Sequence, residues 1–296
     1  MTKLTFFFTA LSFIACKSLE TKPVKIPAHF DWQGHRGCRG LKPENSLPAF
    51  LHALKFPEVV TLELDLAVSK DGQLIVSHEP FFNPAICLKP DGSHFTDSTA
   101  LQLPLNSLTA LEIQSYDCGS LGNLRFLQQE KMKVYKPSLR EVIQTVRAQN
   151  PNVRWNMEIK SQPEWDGRFH PVVDEFASLV ISEIRMQGLE KLVTVQSFDT
   201  RALEAMHRLA PEIPLAYLIE NQDDVEKNMK RLSFTPLIYS PYYLTVNKKM
   251  RRVCNQHHMK LIPWTVNDVA SMRRLIRLGV DGIITDYPNL IGKVGR

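Results

Sequence analysis

Carboxylates stand close together near the ends of apolar runs in this 296-residue sequence. Glu63 and Asp65 lie two residues apart in the strand-like run VVTLELDLAV, so their side chains point to the same side of a strand. Glu158 stands near the end of another apolar run. Neighbouring carboxylates repel one another unless a cation neutralises them. With no cysteine nearby, the three predict a site for one hard divalent ion, Ca²⁺ or Mg²⁺, rather than zinc.

Two histidines and two cations accompany these acids. His35 and His78 each stand at the end of a predicted strand, and histidine titrates near neutrality, which suits a general acid or base. Arg36 and Lys160 add fixed positive charge that could hold a phosphate group. The alternative is a structural ion network, in which Arg36 and Lys160 pair with the three acids.

From residue 31 onward, short apolar runs alternate with helical patterns that must position these groups. The predicted strands are Asp31–His35, Val60–Leu66, Arg154–Ile159, Leu192–Gln196, Leu215–Ile219, Leu237–Tyr239, Lys260–Trp264 and Gly282–Thr285. The predicted helices are Leu47–Lys55, Leu139–Ala148, Val172–Gln187, Thr200–Leu209, Gln222–Leu232, Lys248–His257 and Val269–Leu278. This alternation indicates parallel β/α units, and eight strands in about 250 residues predict an α/β fold, a (β/α)8 TIM-type barrel. A doubly wound sheet is the alternative, although no G-x-G-x-x-G motif follows the first strand.

A long segment interrupts the alternation after the second strand. Leu74–Ser77 is predicted to pair with Val60–Val68 across a turn at residues 70–73. Residues 80–137 then show little periodicity, and a loop of that length is usually functional. We predict that the barrel occupies residues 31–296 and carries residues 80–137 as an inserted subdomain at its catalytic mouth. A short helix is expected near Leu108–Ser115.

Polar residues mark where several helices begin. Ser138, with Glu141 three residues later, predicts a capping box. Asp199 and Asn267 predict the amino-terminal caps of two further helices.

Composition excludes several classes of protein. Hydrophobic residues make up 44% and charged residues 23% of the chain, which excludes a collagen, a disordered tail and a polytopic membrane protein. The net charge of +5 is small and dispersed, so no nucleic-acid partner is expected. None of the five cysteines belongs to a C-x-x-C pair, which disfavours a zinc ribbon. No obligate protein partner is evident.

The first residues resemble an export signal. Lys3 precedes an apolar run that ends at Cys16 and falls short of the about 20 residues that span a bilayer. The residues FIAC resemble a bacterial lipobox, in which the cysteine becomes the lipidated first residue of the mature chain. We predict a lipoprotein signal peptide at residues 1–15, lipidation at Cys16 and a tether at residues 16–30. An ordinary signal peptide is the alternative.

Such a protein is exported and anchored to a membrane by its lipid, in the periplasm or at the cell surface. That compartment permits disulfides. Cys87 and Cys118 share one irregular segment and are therefore the favoured pair.

Motifs over residues 31–290 together resemble the glycerophosphodiester phosphodiesterase family. The motifs are, in order, His35-Arg36-Gly37, Pro43-Glu44-Asn45-Ser46, Glu63-Leu64-Asp65, Asp71-Gly72 with His78, Glu158-Ile159-Lys160, Gln196-Ser197-Phe198, Trp264-Thr265-Val266-Asn267 and Asp281-Gly282-Ile283-Ile284-Thr285-Asp286-Tyr287-Pro288. Two positions depart from the family pattern and keep its chemistry, since Ser46 replaces the commoner Thr and Glu79 follows His78 in place of Asp. The insertion occupies the place of the family's inserted subdomain.

The resemblance implies a role for each group already singled out. One divalent ion would be held by Glu63, Asp65 and Glu158, and His35 and His78 would form the acid–base pair.

Further residues gain a role from the resemblance. Arg36 and Lys160 would bind the phosphoryl oxygens, and Glu44 would brace Arg36. Trp264 and Phe198 would contact the alcohol part of the substrate, although both could equally be core aromatics.

The implied reaction is the metal-dependent hydrolysis of a small glycerophosphodiester to glycerol 3-phosphate and an alcohol. The glycerol 2-hydroxyl can serve as the nucleophile in the family, and water then opens the cyclic phosphate. One alternative is a related barrel phospholipase D or phosphatidylinositol-specific phospholipase C. The insertion shows no obvious exposed apolar ridge, which favours a soluble headgroup diester. A second alternative is a non-catalytic lipoprotein that binds phosphorylated solutes.

Overall fold

The computed structural model describes residues 23–296, and the predicted signal peptide, Cys16 and the first part of the predicted tether lie outside these residues. The strands are β1 (Asp31–Gly34), β2 (Val59–Val68), β3 (Leu74–Val76), β4 (Arg154–Ile159), β5 (Val193–Ser197), β6 (Leu215–Ile219), β7 (Ile238–Pro241), β8 (Lys260–Leu261) and β9 (Gly282–Thr285). All except β3 are parallel neighbours, in the order β8-β7-β6-β5-β4-β2-β1-β9.

Backbone hydrogen bonds bring the two ends of this order together. The N–H of Asp281 donates to the carbonyl of Leu261 at 2.9 Å, and the N–H of Ile284 donates to that of Pro263 at 3.0 Å. The eight parallel strands thus form a nearly closed barrel. The predicted (β/α)8 fold is confirmed, and the doubly wound sheet is wrong.

Helices cover the outside of this barrel, and two short ones lie in the insertion. The helices are α1 (Leu47–Ala53), α2 (Asp97–Leu101), α3 (Ala110–Ile113), α4 (Leu139–Arg147), α5 (Val173–Met186), α6 (Thr200–Leu209), α7 (Val225–Met229), α8 (Lys248–Gln256) and α9 (Val269–Arg277). Short 3₁₀ segments occupy Leu105–Ser107, Pro163–Trp165, Tyr243–Thr245 and Pro288–Lys293. The helices α1 and α4 to α9 each follow a barrel strand, as the sequence pattern predicts.

Strand β2 shows how alternation separates the core from the barrel interior. Leu62, Leu64 and Leu66 are fully buried in the main hydrophobic core. Because side chains alternate along a strand, Glu63 and Asp65 project to the opposite side, into the barrel. The prediction that these two carboxylates share one face is confirmed.

Two of the predicted caps differ from the structure. Ser138 accepts a hydrogen bond from the N–H of Glu141 at 3.2 Å, but the Glu141 carboxylate binds the Tyr135 hydroxyl instead of completing a capping box. The predicted cap at Asn267 is also wrong, because Asp268 caps α9 and Asn267 turns toward another carboxylate. The prediction for Asp199, which caps α6, is confirmed.

The insertion has its own small core. Strand β3 pairs antiparallel with β2, as predicted, and leads into residues 80–137. Buried side chains that include Phe82, Phe95 and Ile113 form this core, and the predicted short helix is α3. The predicted disulfide between Cys87 and Cys118 is present and connects two parts of the insertion.

The last residues of the predicted tether are packed. Val24 and Ile26 lie against the main core, and Phe30 is buried with its ring centroid 4.7 Å from that of Trp32. Because Phe30 directly precedes β1, this segment lies at the amino end of the barrel. Among residues 23–296, no helix is both long and apolar enough to cross a membrane.

Candidate active site

The three predicted metal ligands lie together at the carboxyl end of the barrel. Glu63 and Asp65 of β2 and Glu158 of β4 are buried, and one carboxylate oxygen from each lies within 4.8 Å of the other two. The strand register places Asp65 directly opposite Glu158. Within the described part of the chain, this is the one group of three or more His, Cys, Asp or Glu with a metal-like arrangement.

Burial and mutual repulsion disfavour ionisation of two of these three carboxylates, Glu63 and Glu158. Burial raises the pKa of Glu63, and the charges of Asp65 and Glu158 raise it further. Burial also raises the pKa of Glu158, although Lys160 opposes this. The Oδ1 atom of Asp65 has no hydrogen-bond partner among the residues described. Arg36 and Lys160 lower the pKa of Asp65, but the pKa of Glu63 and that of Glu158 stay raised, so these cations leave part of the negative charge of the cluster uncompensated. The all-oxygen donor set fits a hard divalent cation.

Neighbouring polar groups hold these carboxylates in place. The Gln196 side-chain amide donates to Glu63 Oε1 at 2.9 Å, and the backbone N–H of Arg36 donates to Glu63 Oε2 at 2.7 Å. The Asn45 side-chain amide donates to Asp65 Oδ2 at 2.8 Å. Each contact leaves an oxygen lone pair directed elsewhere, so the carboxylates can still act as ligands.

His35, directly after β1, is held by a carboxylate from the last strand. Its Nδ1 lies 2.6 Å from Asp286 Oδ1, and its Nε2 lies 3.9 Å from Glu63 Oε2. Asp286 also accepts hydrogen bonds from Arg39 at 3.0 and 3.2 Å and from Asn267 at 2.7 Å. Burial and the positive charge of Arg39 lower the pKa of His35 to about 4. The ring is fixed with Nε2 toward the acidic cluster.

His78, two residues after the end of β3, is held by a carboxylate in the same way as His35. Its Nδ1 lies 2.9 Å from Glu79 Oε1, and its Nε2 lies 3.1 Å from Lys160 Nζ. Burial opposes the ionisation of Glu79, but the hydrogen bond with His78 and nearby cations lower the pKa of Glu79 to about 2. Lys136, which is buried, donates to the Ser77 hydroxyl at 2.8 Å, and that hydroxyl donates to the Glu79 carbonyl at 2.6 Å. Both histidines thus have Nδ1 on a carboxylate and Nε2 directed toward the acidic and cationic cluster.

The two predicted phosphate-binding cations lie beside the acids. Arg36 Nη1 donates to Glu44 Oε1 at 2.7 Å, which is the bracing contact predicted for Glu44, and its Nε lies 3.2 Å from Asp65 Oδ2. Lys160 Nζ lies 2.9 Å from Glu158 Oε1. The contacts with Asp65 and Glu158 are ion pairs expected for a structural ion network. They do not offset the burial and the neighbouring acids that raise the pKa of Glu63, so a structural network alone does not account for this carboxylate.

A tight backbone turn delivers Arg36 to this position. Gly37 has a φ of +81°, and a Cβ atom added there would lie 2.8 Å from the Ala49 Cβ. Only glycine fits both constraints without displacing α1.

An aromatic wall lines one side of a cavity of about 1060 Å³ that opens above the acids. Phe198 meets Trp264 edge-on at 5.4 Å, and Lys160 Nζ lies 5.7 Å from the Phe198 ring centroid. The Tyr242 ring centroid lies 5.8 Å from that of Trp264, and Trp264 Nε1 donates to the Ser240 carbonyl. Phe198 and Trp264 therefore both border the cavity, and Trp264 also packs against a small buried apolar cluster.

The expectation that the insertion lacks an exposed apolar ridge is wrong. Leu124 and Leu127 of the insertion are 90% and 94% exposed, while Phe126 between them lines the cavity. Their exposure depends on the course of an irregular loop, which hydrophobic periodicity does not report.

Sequence reasoning missed several residues of this site. Asp286 and Gln196 belong to the family-like motifs quoted above but had no predicted role. A polar residue directly after a predicted barrel strand is a signal that could have found Asp286. Arg39 and Lys136 stand in loops where no spacing pattern marks them.

Comparisons with known proteins agree with this geometry. The sequence profile of the glycerophosphoryl diester phosphodiesterase family matches residues 35–290. A glycerophosphodiester phosphodiesterase of Caldanaerobacter subterraneus is 29% identical over 88% of this chain and 97% of its own. A solved Silicibacter pomeroyi structure, provisionally named a glycerophosphoryl diester phosphodiesterase, is 26% identical, covers 91% of this chain and 94% of its own, and has a TM-score of 0.80.

A second solved structure has the same fold at lower identity. It is an Oleispira antarctica phosphodiesterase in complex with the product sn-glycerol-3-phosphate, 20% identical over 89% of this chain and 96% of its own, with a TM-score of 0.71. The family profile covers most of the chain and begins at His35 itself. The chain therefore belongs to the glycerophosphoryl diester phosphodiesterase family of enzymes.

Proposed function

We propose that this enzyme hydrolyses glycerophosphodiesters to glycerol 3-phosphate and an alcohol, with His35 and His78 as its acid–base pair. One observation carries the proposal. Both imidazoles have Nδ1 on a carboxylate, at 2.6 and 2.9 Å, and both direct Nε2 toward the same acidic and cationic cluster. The product bound in the Oleispira antarctica relative supports the same substrate class.

The charges around the cavity suit a phosphodiester, which is an anion that resists attack by nucleophiles. Arg36 and Lys160 neutralise that charge through hydrogen bonds to the phosphoryl oxygens and stabilise the charge that grows in the transition state. Glu44 keeps the Arg36 guanidinium in place for this purpose. One histidine takes a proton from the nucleophile, which the family resemblance identifies as the glycerol 2-hydroxyl, and the other protonates the leaving alkoxide. Water then opens the resulting cyclic phosphate to glycerol 3-phosphate.

Glu63, Asp65 and Glu158 would hold one divalent cation, Ca²⁺ or Mg²⁺. When bound there, the cation supplies positive charge next to a phosphoryl oxygen. The support is the proximity of three carboxylate oxygens, the unpartnered Oδ1 of Asp65 and the raised pKa of Glu63. Gln196 and Asn45 orient two of these carboxylates.

Trp264 and Phe198 would contact the alcohol or glycerol part of the substrate. Lys160 lies between the acidic cluster and the Phe198 ring, so the aromatic wall begins where the phosphate is expected to bind. A second candidate function, hydrolysis of a lipid-borne diester, is favoured by the exposed Leu124 and Leu127 beside the cavity.

An assay of released choline and phosphocholine, with a divalent ion added, tests the function. Glycerol 3-phosphate is measured alongside for glycerophosphocholine, because the two lipids compared with it cannot release glycerol 3-phosphate directly. Glycerophosphocholine, lysophosphatidylcholine and phosphatidylcholine are compared as substrates. Turnover of glycerophosphocholine supports the main proposal, and turnover of the lipids alone supports the second candidate. Binding of glycerophosphocholine without turnover of any substrate would contradict both and favour a non-catalytic binding protein.

We further propose that the protein is exported and anchored to a membrane through a lipid on Cys16. The support is the apolar run that ends in FIAC and the disulfide between Cys87 and Cys118, which suits an oxidising compartment. Mass spectrometry of the mature amino terminus tests this proposal. A diacylglyceryl group on Cys16, absent from a Cys16→Ser variant, is expected, and cleavage elsewhere with an unmodified cysteine would contradict it.

A further inference from the structure

The rim of the active-site cavity carries a short loop whose apolar side chains face solvent. This rim loop comprises residues 123–128 of the insertion. Leu124 and Leu127 are 90% and 94% exposed, the highest values among the large apolar residues of the described chain. Met186, at the opposite end of the barrel, is 61% exposed. Large apolar side chains this exposed, next to a functional opening, mark an interaction surface.

The rim loop is held rigidly rather than left loose. Phe126 packs its ring under the Arg39 guanidinium, 4.7 Å from the ring centroid, and against Tyr287. The Gln129 side chain donates to the Arg39 carbonyl at 2.7 Å, and the Glu130 N–H donates to the Leu41 carbonyl at 2.9 Å. The loop is therefore fixed to the barrel, while Leu124 and Leu127 on either side of Phe126 face solvent.

The charge around the rim loop is positive. Arg125, Lys131 and Lys133 are exposed, whereas Glu130, the single acid between residues 123 and 133, is already paired with Lys42. Exposed leucines flanked by cations match a phospholipid surface, which offers an apolar interior beneath anionic phosphates. In a symmetric contact between two copies of this chain, the same cations would face each other and repel.

We propose that the rim loop is a membrane-docking element that inserts Leu124 and Leu127 into the surface of an anionic phospholipid bilayer. Arg125 and Phe126 line the cavity from the same loop, so docking brings the active-site opening to the lipid headgroups. Diesters at or near a membrane surface would then enter the cavity directly. The proposal does not depend on which diester is hydrolysed, because it concerns the surface and not the reaction.

Vesicle co-sedimentation with residues 23–296 tests this proposal. These residues contain the complete barrel with its covering helices and lack Cys16, so any binding comes from the protein surface rather than from a lipid anchor. Vesicles of phosphatidylcholine mixed with phosphatidylglycerol are expected to bind the protein. The variant L124S/L127S should bind about 100-fold more weakly, since each buried leucine contributes roughly a tenfold change.

Matched variants distinguish the apolar contribution of the rim loop to vesicle binding from its electrostatic contribution. Met186→Ser changes an exposed apolar residue at the other end of the barrel and should bind like the wild type. Arg125→Gln should lose about fivefold on the mixed vesicles and little on pure phosphatidylcholine, because its contribution is electrostatic. Circular dichroism and the hydrolysis of soluble glycerophosphocholine, which L124S/L127S should retain, show that the variants are folded.

Three results would overturn the proposal. They are a wild-type protein that does not bind the mixed vesicles, equal binding by L124S/L127S and the wild type, and a concentration-dependent dimer that L124S/L127S abolishes. The last result would assign the rim loop to contact between copies of the chain. None of them bears on whether glycerophosphodiesters are hydrolysed, since that reaction is measured separately on a soluble substrate.

Discussion

The Nδ1 atom of His35 lies 2.6 Å from Oδ1 of Asp286, although 251 residues separate them in the chain. Strands β1 and β9 pair in parallel, and this pairing places the two residues side by side just beyond the strand ends. The contact sets the orientation of the imidazole and favours the tautomer with the proton on Nδ1. Nε2 is then available as a proton acceptor toward the acidic cluster.

Asp286→Asn should lower kcat at least about tenfold with a smaller effect on KM, because the amide no longer fixes the reactive tautomer of His35. Steady-state kinetics of glycerol 3-phosphate release provide the measurement. Asp281→Asn is the matched control, since Asp281 directly precedes the same strand and pairs with Arg251 at the far end of the barrel. Equal kcat values for the two variants would show that Asp286 does not position His35.

Local patterns predict those parts of the site that lie within one element. The two-residue spacing of Glu63 and Asp65 places both in the barrel because alternation along a strand is a local property. The partner of His35 could not be predicted in this way, since it depends on how the last strand meets the first.

The predictions that differ from the structure also concern irregular segments. The predicted cap at Asn267 failed because a buried carboxylate, that of Asp286, binds its side chain more favourably than the free helix end does. The exposure of Leu124 and Leu127 depends on the path of a loop that is fixed by Phe126 and by tertiary hydrogen bonds. Neither follows from spacing along the chain.

Removal of divalent ions should abolish turnover, because the carboxylates of Glu63, Asp65 and Glu158 then lack the charge that neutralises them. The assay is performed after treatment with a chelator and again after addition of Mg²⁺ or Ca²⁺, which should restore the rate. Asp65→Asn should weaken ion binding in calorimetry. Full activity in excess chelator would contradict the assignment of these three residues.

Loss of the disulfide between Cys87 and Cys118 should destabilise the insertion. The two cysteines are separated by 31 residues, and a crosslink of that span contributes about 4 kcal/mol by restricting the unfolded chain. Urea unfolding of Cys87→Ser/Cys118→Ser measures the change, with the addition of a reductant to the wild type as a second test. A free energy of unfolding equal to that of the untreated wild type would contradict this prediction.

Asp117 should make the stability of the insertion depend on pH. Burial opposes ionisation of its carboxyl, but hydrogen bonds from Ser120, Gly119 and Val134 outweigh burial and lower the pKa of Asp117 below its ordinary value of 3.8. Because the pKa of Asp117 is lower in the folded than in the unfolded protein, its carboxylate stabilises the fold at pH values above the unfolded-state pKa. This stabilisation is lost as the pH falls through the folded-state pKa.

Asp117→Asn keeps the shape of the side chain and removes its charge, so it should cost about 1 kcal/mol near neutral pH. The difference in unfolding free energy between this variant and the wild type should shrink as the pH falls below 3.8. A difference that does not change with pH would show that the charge of Asp117 is not involved.

The roles of the two histidines are tested most directly by the rate of glycerol 3-phosphate release from glycerophosphocholine. The measurement compares the purified wild type with His35→Ala, His78→Ala and the control His94→Ala, which changes an exposed histidine of the insertion. The first two variants should each lose at least about 100-fold in kcat, which is the usual contribution of acid–base catalysis, and the control should match the wild type. Near-normal turnover by folded His35→Ala or His78→Ala would contradict the account.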